Sequence, residues 1–204
     1  MKLDFDNNNF AYSIFNESLF KNDSLKINNI LIPNFYLNYC NTILPKDMMH
    51  FELNHLIHKI FIFNKDLTFY ETSKIKVESN DIVFDCGGNM GLFAAAIANR
   101  CKCVYSFEPM SLIRKNLYKT ASLYKNIFVI PYGLYHKNCI KFLLQKDNPG
   151  ASSLFRYENR HNKTLYKERC KLITIDDFIE ATNIIPNFIK VDIEGSELEL
   201  LKGA

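Results

Sequence analysis

The stretch DIVFDCGGNMGLF, residues 81–93, joins an apolar run to a small-residue segment through a turn that holds one carboxylate and three glycines. DIVFDC has the continuous apolar character of a strand covered on both faces, and the following LFAAAIAN has the composition of a helix. The alternation continues: CVYSFE reads as a strand, SLIRKNLYKTASLY as a helix and IFVIPY as a third strand. Strands that alternate with helices predict a parallel sheet, so the expected fold class is α/β, doubly wound and mostly parallel. Further on, IKFLLQ and KLITI flank the polar GASSLFRYENRHNK and predict a hairpin or an extra antiparallel strand. A helix starting near Asp176 and Asp177, both plausible caps, leads to FIKVDIEG, a fourth strand ending in acidic residues, and then to the helical ELELLKG.

The chain has 204 residues with 48% apolar and 14% aromatic content, enough for one sizeable core with a smaller appended unit. Residues 1–80 read as an N-terminal cap or lid, with Asn-rich segments, a helix over about 47–61 and the alternating DLTFYE; residues 81–204 read as the α/β domain. A net charge of +3, from 25 basic and 22 acidic residues with no block of like sign, points to neither nucleic acid nor an anionic membrane as partner. MKLDFDNNNFAY lacks the basic and apolar regions of a signal peptide, and no apolar stretch approaches the roughly 18 residues of a membrane span. The expected location is therefore the cytoplasm. Cys40, Cys86, Cys101, Cys103, Cys139 and Cys170 form no CxxC pair and read as reduced thiols, and His50, His55 and His58 lack HExxH spacing, so no metal is expected.

In an open α/β sheet ligands bind beyond the carboxyl ends of the strands, which puts Gly87, Gly88 and Gly91 at a binding turn. A dinucleotide fingerprint would read GxGxxG, but Asn89 occupies the place of the second glycine. Asp85 would repel a pyrophosphate and attract an ammonium or a sulfonium. Glu108 closes the second strand 21 residues after Gly87, where a carboxylate can accept hydrogen bonds from both hydroxyls of a ribose. An amino-acid cation joined to a ribose describes S-adenosylmethionine. At each position taken alone the alternative is structural: glycines for close packing, a strand-end Asp as a helix cap.

Together these residues resemble the FkbM-type methyltransferases, within the class I methyltransferase fold. The resemblance rests on VFDCGGNMG, on YSFEP and on FIKVDIEGSELELLKGA, which is close to an IKxDxEGxExxxLxGA signature, and spans residues 81–204, with GASSL resembling a Gly/Ser patch before the later strands. It implies that Asp85, Gly87, Asn89 and Gly91 cradle the methionine part of the cofactor, that Glu108 holds the ribose, and that Gly133 and Leu134, after the third strand, lie beside the adenine. Gly88, also in the cofactor turn, stands where the family often has alanine; the change is expected to loosen the loop without a clash.

Methyl transfer to a hydroxyl needs in-line alignment and removal of a proton. Asp192 is the preferred general base or acceptor-orienting group. Glu194 is read either as a ligand for a sugar hydroxyl or as a brace for its loop, the alternative being that Glu194 and Glu197 only favour the next helix's N-terminus. The expected activity is O-methylation of a hydroxyl on a small molecule or glycan, with a nicotinamide-dependent oxidoreductase and a catalytically inactive cofactor-binding module as alternatives. Class I relatives carry three further strands after the fourth, so the sheet is expected to be truncated there, with an exposed edge prone to self-association.

Overall fold

The computed structural model describes residues 24–27, 30–33, 70–146 and 164–204. The helix expected over 47–61, most of DLTFYE, Cys40, the three histidines and the polar stretch 150–163 lie outside the described residues. The chain divides into two units, Met1–Lys76 and Val77–Ala204. The described part of the first holds an antiparallel pair, β1 (Ser24–Ile27) and β2 (Ile30–Pro33). It also holds a turn in which Thr72 Oγ1 accepts from the amides of Lys74 and Ile75.

The second unit runs β3 (Ile82–Cys86), α1 (Leu92–Ile97), β4 (Cys103–Phe107), α2 (Ser111–Ala121) and β5 (Ile127–Ile130). It continues through β6 (Gly133–Leu134), β7 (Cys139–Lys146), β8 (Thr164–Ile173), α3 (Ile175–Thr182), β9 (Phe188–Val191) and α4 (Glu197–Leu201). Its main sheet has the order β5-β4-β3-β9, every neighbour parallel, as the alternation of strands and helices predicts. IKFLLQ falls in β7 and pairs antiparallel with β8, while β6 adds a parallel strand to the other side of β8.

Side chains alternate across the strands, so each face of the main sheet can be read separately. On one face Phe84, Cys86 and Phe107 form a core with Leu134, Ile173, Ile175, Phe178 of α3 and Leu200 of α4. The ring of Phe178 lies edge-on to Phe84 at 5.4 Å and to Phe107 at 5.0 Å. On the other face Phe188 of β9 stacks on Phe93 of α1, with ring centroids 6.5 Å apart. Helices therefore cover both faces, the doubly wound arrangement.

One boundary differs from expectation. β8 ends at Ile173 and the cap of α3 is Thr174, whose hydroxyl accepts the amide of Asp177 at 2.9 Å and donates to its carboxylate at 2.6 Å. Asp176 and Asp177 lie inside the first turn, where their charges meet the positive end of the helix. The carbonyl of Gly203 accepts the amides of Ile175 and Asp176, so the segment after α4 closes over the start of α3. Among the described strands β9 pairs only with β3, and Ile189 on it is 42% exposed. Among the described residues no helix is long and apolar enough to cross a membrane.

Candidate active site

The parallel register aligns Cys86 with Phe107 and Val191, and Phe107 with Ile130, so the turns after all four strands gather along one edge. After β3 the chain turns sharply. The amides of Gly87 and Gly88 both reach the carbonyl of Phe107, at 3.2 and 2.9 Å. Gly87 and Gly91 have φ of 85° and 90°, and Asn89 holds the left-handed conformation at 47°. A side chain at Gly87 would put its Cβ 2.0 Å from the carbonyl oxygen of Asp192, so the turn lies directly against the end of β9. At Gly88, where no clash is expected for glycine, a Cβ would stand 2.0 Å from Ser106 Oγ and 3.2 Å from Leu117. Any larger residue would have to displace the Ser106 hydroxyl that β4 carries beneath the turn.

That serine belongs to a polar row across three strands. Ser106, Asp85 and Lys190 are register partners on β4, β3 and β9. Ser106 Oγ donates to Asp85 Oδ2 at 2.7 Å, Lys190 Nζ stands 3.0 Å from Asp85 Oδ1, and the same ammonium donates to the carbonyl of Gly87 at 2.8 Å. All three side chains are buried, Asp85 and Ser106 completely and Lys190 to 5% exposure. The cation that Asp85 meets is thus Lys190 of its own chain, and the carboxylate shapes the turn from beneath it.

Glu108 follows β4 and is also buried. Its carboxylate accepts the amide of Asn89 at 3.1 Å on one oxygen and that of Met110 at 2.9 Å on the other, tying the glycine turn to the start of α2. Arg114 Nη1 donates to the carbonyls of Glu108 and Pro109. Burial pushes the Glu108 carboxyl up to about 7 and nearby Asp85 adds to the rise, against the pull of the two amides and Arg114. Beside it the buried Oδ1 of Asn89 accepts no hydrogen bond from the described residues. An acceptor left so is costly unless a ligand supplies the donor.

The remaining expected residues are spread along the same edge. Gly133 and Leu134 form β6; a Cβ on Gly133 would stand 2.4 Å from Leu172, and the Leu134 side chain belongs to the apolar core. The Asp192 amide donates to Cys86 at 3.0 Å and its side chain is half-buried. Glu194 is exposed, with φ of 52°. Its turn is braced by Glu197, whose carboxylate accepts the amides of Ile193 and Gly195 at 3.2 and 3.1 Å. Sequence reasoning missed Ser106 and Lys190. A period-two reading of YSF and FIKV would have set both beside Asp85. Burial raises the Cys86 thiol, and burial with Glu168 and Glu108 pushes Cys170 up to about 12, so neither is a poised nucleophile.

A parallel, doubly wound sheet with a glycine turn, an acidic second strand end and a carboxylate pair after the fourth strand has the Rossmann-like architecture of class I methyltransferases. The sequence profile of the Methyltransferase FkbM domain matches residues 85–204, and the chain belongs to that family. It is 30% identical over 132 residues to the Hexuronic acid methyltransferase AglP of Haloferax volcanii, covering 63% of this chain and 52% of that one. The chain thus spans about half the length of the curated relative it matches. Among solved structures it is similar to a Methyltransferase FkbM from Methylobacillus flagellatus KT, with 19% identity and a TM-score of 0.49 over 83% of this chain and 43% of that one. It is also similar to M. jannaschii TYW2 in complex with AdoMet, with 17% identity and a TM-score of 0.32 over 54% of this chain and 44% of that one.

Proposed function

We propose that residues 77–204 hold S-adenosylmethionine along this edge and take part in O-methylation of a hydroxyl on a sugar or other glycan acceptor. The observation that carries the cofactor reading is the acceptor pair at the turn: the Glu108 carboxylate, fixed by two amides, and the unpartnered Asn89 Oδ1. A carboxylate offers about four acceptor sites. Each Glu108 oxygen keeps capacity beyond its amide, which suits the adjacent hydroxyls of a ribose. Asn89 Oδ1 suits a donor such as the ammonium of the methionine part. When bound, the cofactor supplies an electrophilic methyl group on a sulfonium, so no protein nucleophile is required.

In this reading Gly87, Gly88 and Gly91 bring the backbone close enough to form the cradle, and Asp85 acts through the shape of the turn. Gly133 lines the adenine end, with Leu134 closing the core behind it. Asp192, anchored by its amide to Cys86, takes up the acceptor's proton or fixes its hydroxyl, and Glu194 meets a neighbouring sugar hydroxyl. A sugar acceptor is favoured by family membership together with the Haloferax relative, which is named for a hexuronic acid substrate. Calorimetric titration with S-adenosylhomocysteine and with NAD tests the cofactor. Binding of the first and not the second is expected, and comparable NAD affinity would restore the oxidoreductase alternative. Labelled cofactor with a panel of nucleotide sugars and envelope glycans tests transfer; tight binding with no methylated product would favour the inactive module.

A further inference from the structure

We infer that Lys190 is a positioning residue: it fixes the glycine turn that holds the methyl donor relative to Asp192 on the neighbouring strand end. The inference rests on the cofactor reading above. A buried lysine that served only as a counter-ion would need nothing beyond a carboxylate. Lys190 has more. Its ammonium stands 3.0 Å from Asp85 Oδ1 and also donates to the carbonyl of Gly87, the first residue of the turn, at 2.8 Å. The ring of Phe93, 5.9 Å from Nζ, adds an aromatic face to the same pocket.

The Gly87 contact matters because of what else Gly87 touches. Its Cα lies so close to the carbonyl of Asp192 that a Cβ would overlap it at 2.0 Å, and the Asp192 amide in turn donates to Cys86, the residue before Gly87. Lys190 to Gly87, Gly87 to Asp192 and Asp192 to Cys86 therefore form a cross-brace between the ends of β3 and β9. Lys190 lies on β9 and Asp192 is the first residue past that strand's end at Val191. The lysine thus sets the separation between the turn and the carboxylate in one stroke. Productive transfer tolerates only a small error in that separation.

Three variants separate the clamp from the counter-ion. Lys190→Met leaves Asp85 buried without its cation and should lower the melting temperature by several degrees. Asp85→Asn with Lys190→Met removes both charges, so most of that loss should return, yet the Gly87 carbonyl still lacks its donor. Asp85→Asn alone keeps the donor but leaves the buried ammonium without its carboxylate, so it too should lose several degrees. In ligand-free protein, amide hydrogen exchange over residues 87–91 is expected to run about tenfold faster in the two variants lacking Lys190 than in wild type, and faster in both than in Asp85→Asn. The dissociation constant for S-adenosylhomocysteine should rise about tenfold over wild type in the same two, and by less in Asp85→Asn. A double variant with wild-type affinity, whatever its exchange, reduces Lys190 to a counter-ion and overturns the proposal. Wild-type protein that binds no S-adenosylhomocysteine overturns the cofactor reading instead, and the exchange measurement, made without ligand, still decides whether the clamp exists.

Discussion

The two faces of the main sheet are built from the same strands and differ in what their side chains do. Toward α3 and α4, Phe84, Cys86 and Phe107 enter a wholly apolar core closed by Phe178. Toward α1, the intervening positions place Ser106, Asp85 and Lys190 in a buried polar row. Apolar packing is non-directional and supplies stability; a hydrogen-bonded ion pair contributes little net stability, because desolvation offsets its attraction, but it fixes positions. One face holds the fold together. The other gives its upper edge a defined shape.

The comparison is most severely tested on the apolar side. Phe178→Ala should cost about 3–5 kcal/mol, read from the denaturant midpoint, while S-adenosylhomocysteine affinity of the folded fraction stays unchanged. A loss of affinity without a loss of stability would show that the faces are not separable. At the edge the pattern should invert. Asp192→Asn keeps shape but removes basicity, so turnover should drop by about 10²-fold with little change in cofactor affinity or melting temperature. Retained turnover would send the proton elsewhere. Glu108→Ala should weaken S-adenosylhomocysteine binding by roughly 10- to 150-fold, since hydrogen bonds to a charged acceptor are worth about 1.5–3 kcal/mol. An unchanged constant would remove Glu108 from the ribose site.

The smallest effect is one of pH. With Glu108 raised to about 7, the folded chain holds that proton more tightly than the unfolded one, so the group's contribution to stability is present at acid pH and is lost as pH rises toward 7. Binding has the opposite sign, because hydroxyl donors favour the ionised carboxylate. Affinity for S-adenosylhomocysteine should fall as pH drops below about 7, by at most about tenfold per unit, and Glu108→Gln should flatten the profile. A flat wild-type profile would mean that Glu108 does not change protonation on binding.

Much of this is legible in the sequence alone. The alternation of apolar runs and helices gives the parallel sheet and its strand count, and Glu108 is marked by its position after CVYSF, since strand ends in such sheets face ligands. What escaped depends on partners distant in sequence. Asp85 has a charge but no visible recipient; only the pairing of β3 with β9 reveals Lys190. Gly88 reads as slack until β4 sets Ser106 under it. Thr174 displaces Asp176 and Asp177 as cap because β8 ends at Ile173, two residues before the end of KLITI.

The pairing of β9 with β3 also sets an order of events in time. α1, α2, the second sheet and α3 all lie between those strands in the sequence, whereas β7 and β8 are neighbours that can pair locally. Contacts between distant segments form late because their loop-closure entropy must be met first. Until β9 docks, Asp85 has no ammonium beside it and Gly87 has neither its clamp nor the Asp192 backbone to rest against. The nascent chain therefore carries VFDCGGNMG without the shape that binds until β9 has been made. In pulse-labelled refolding, protection of β7 and β8 should precede protection of residues 87–91, and the turn should close in the same phase as β9.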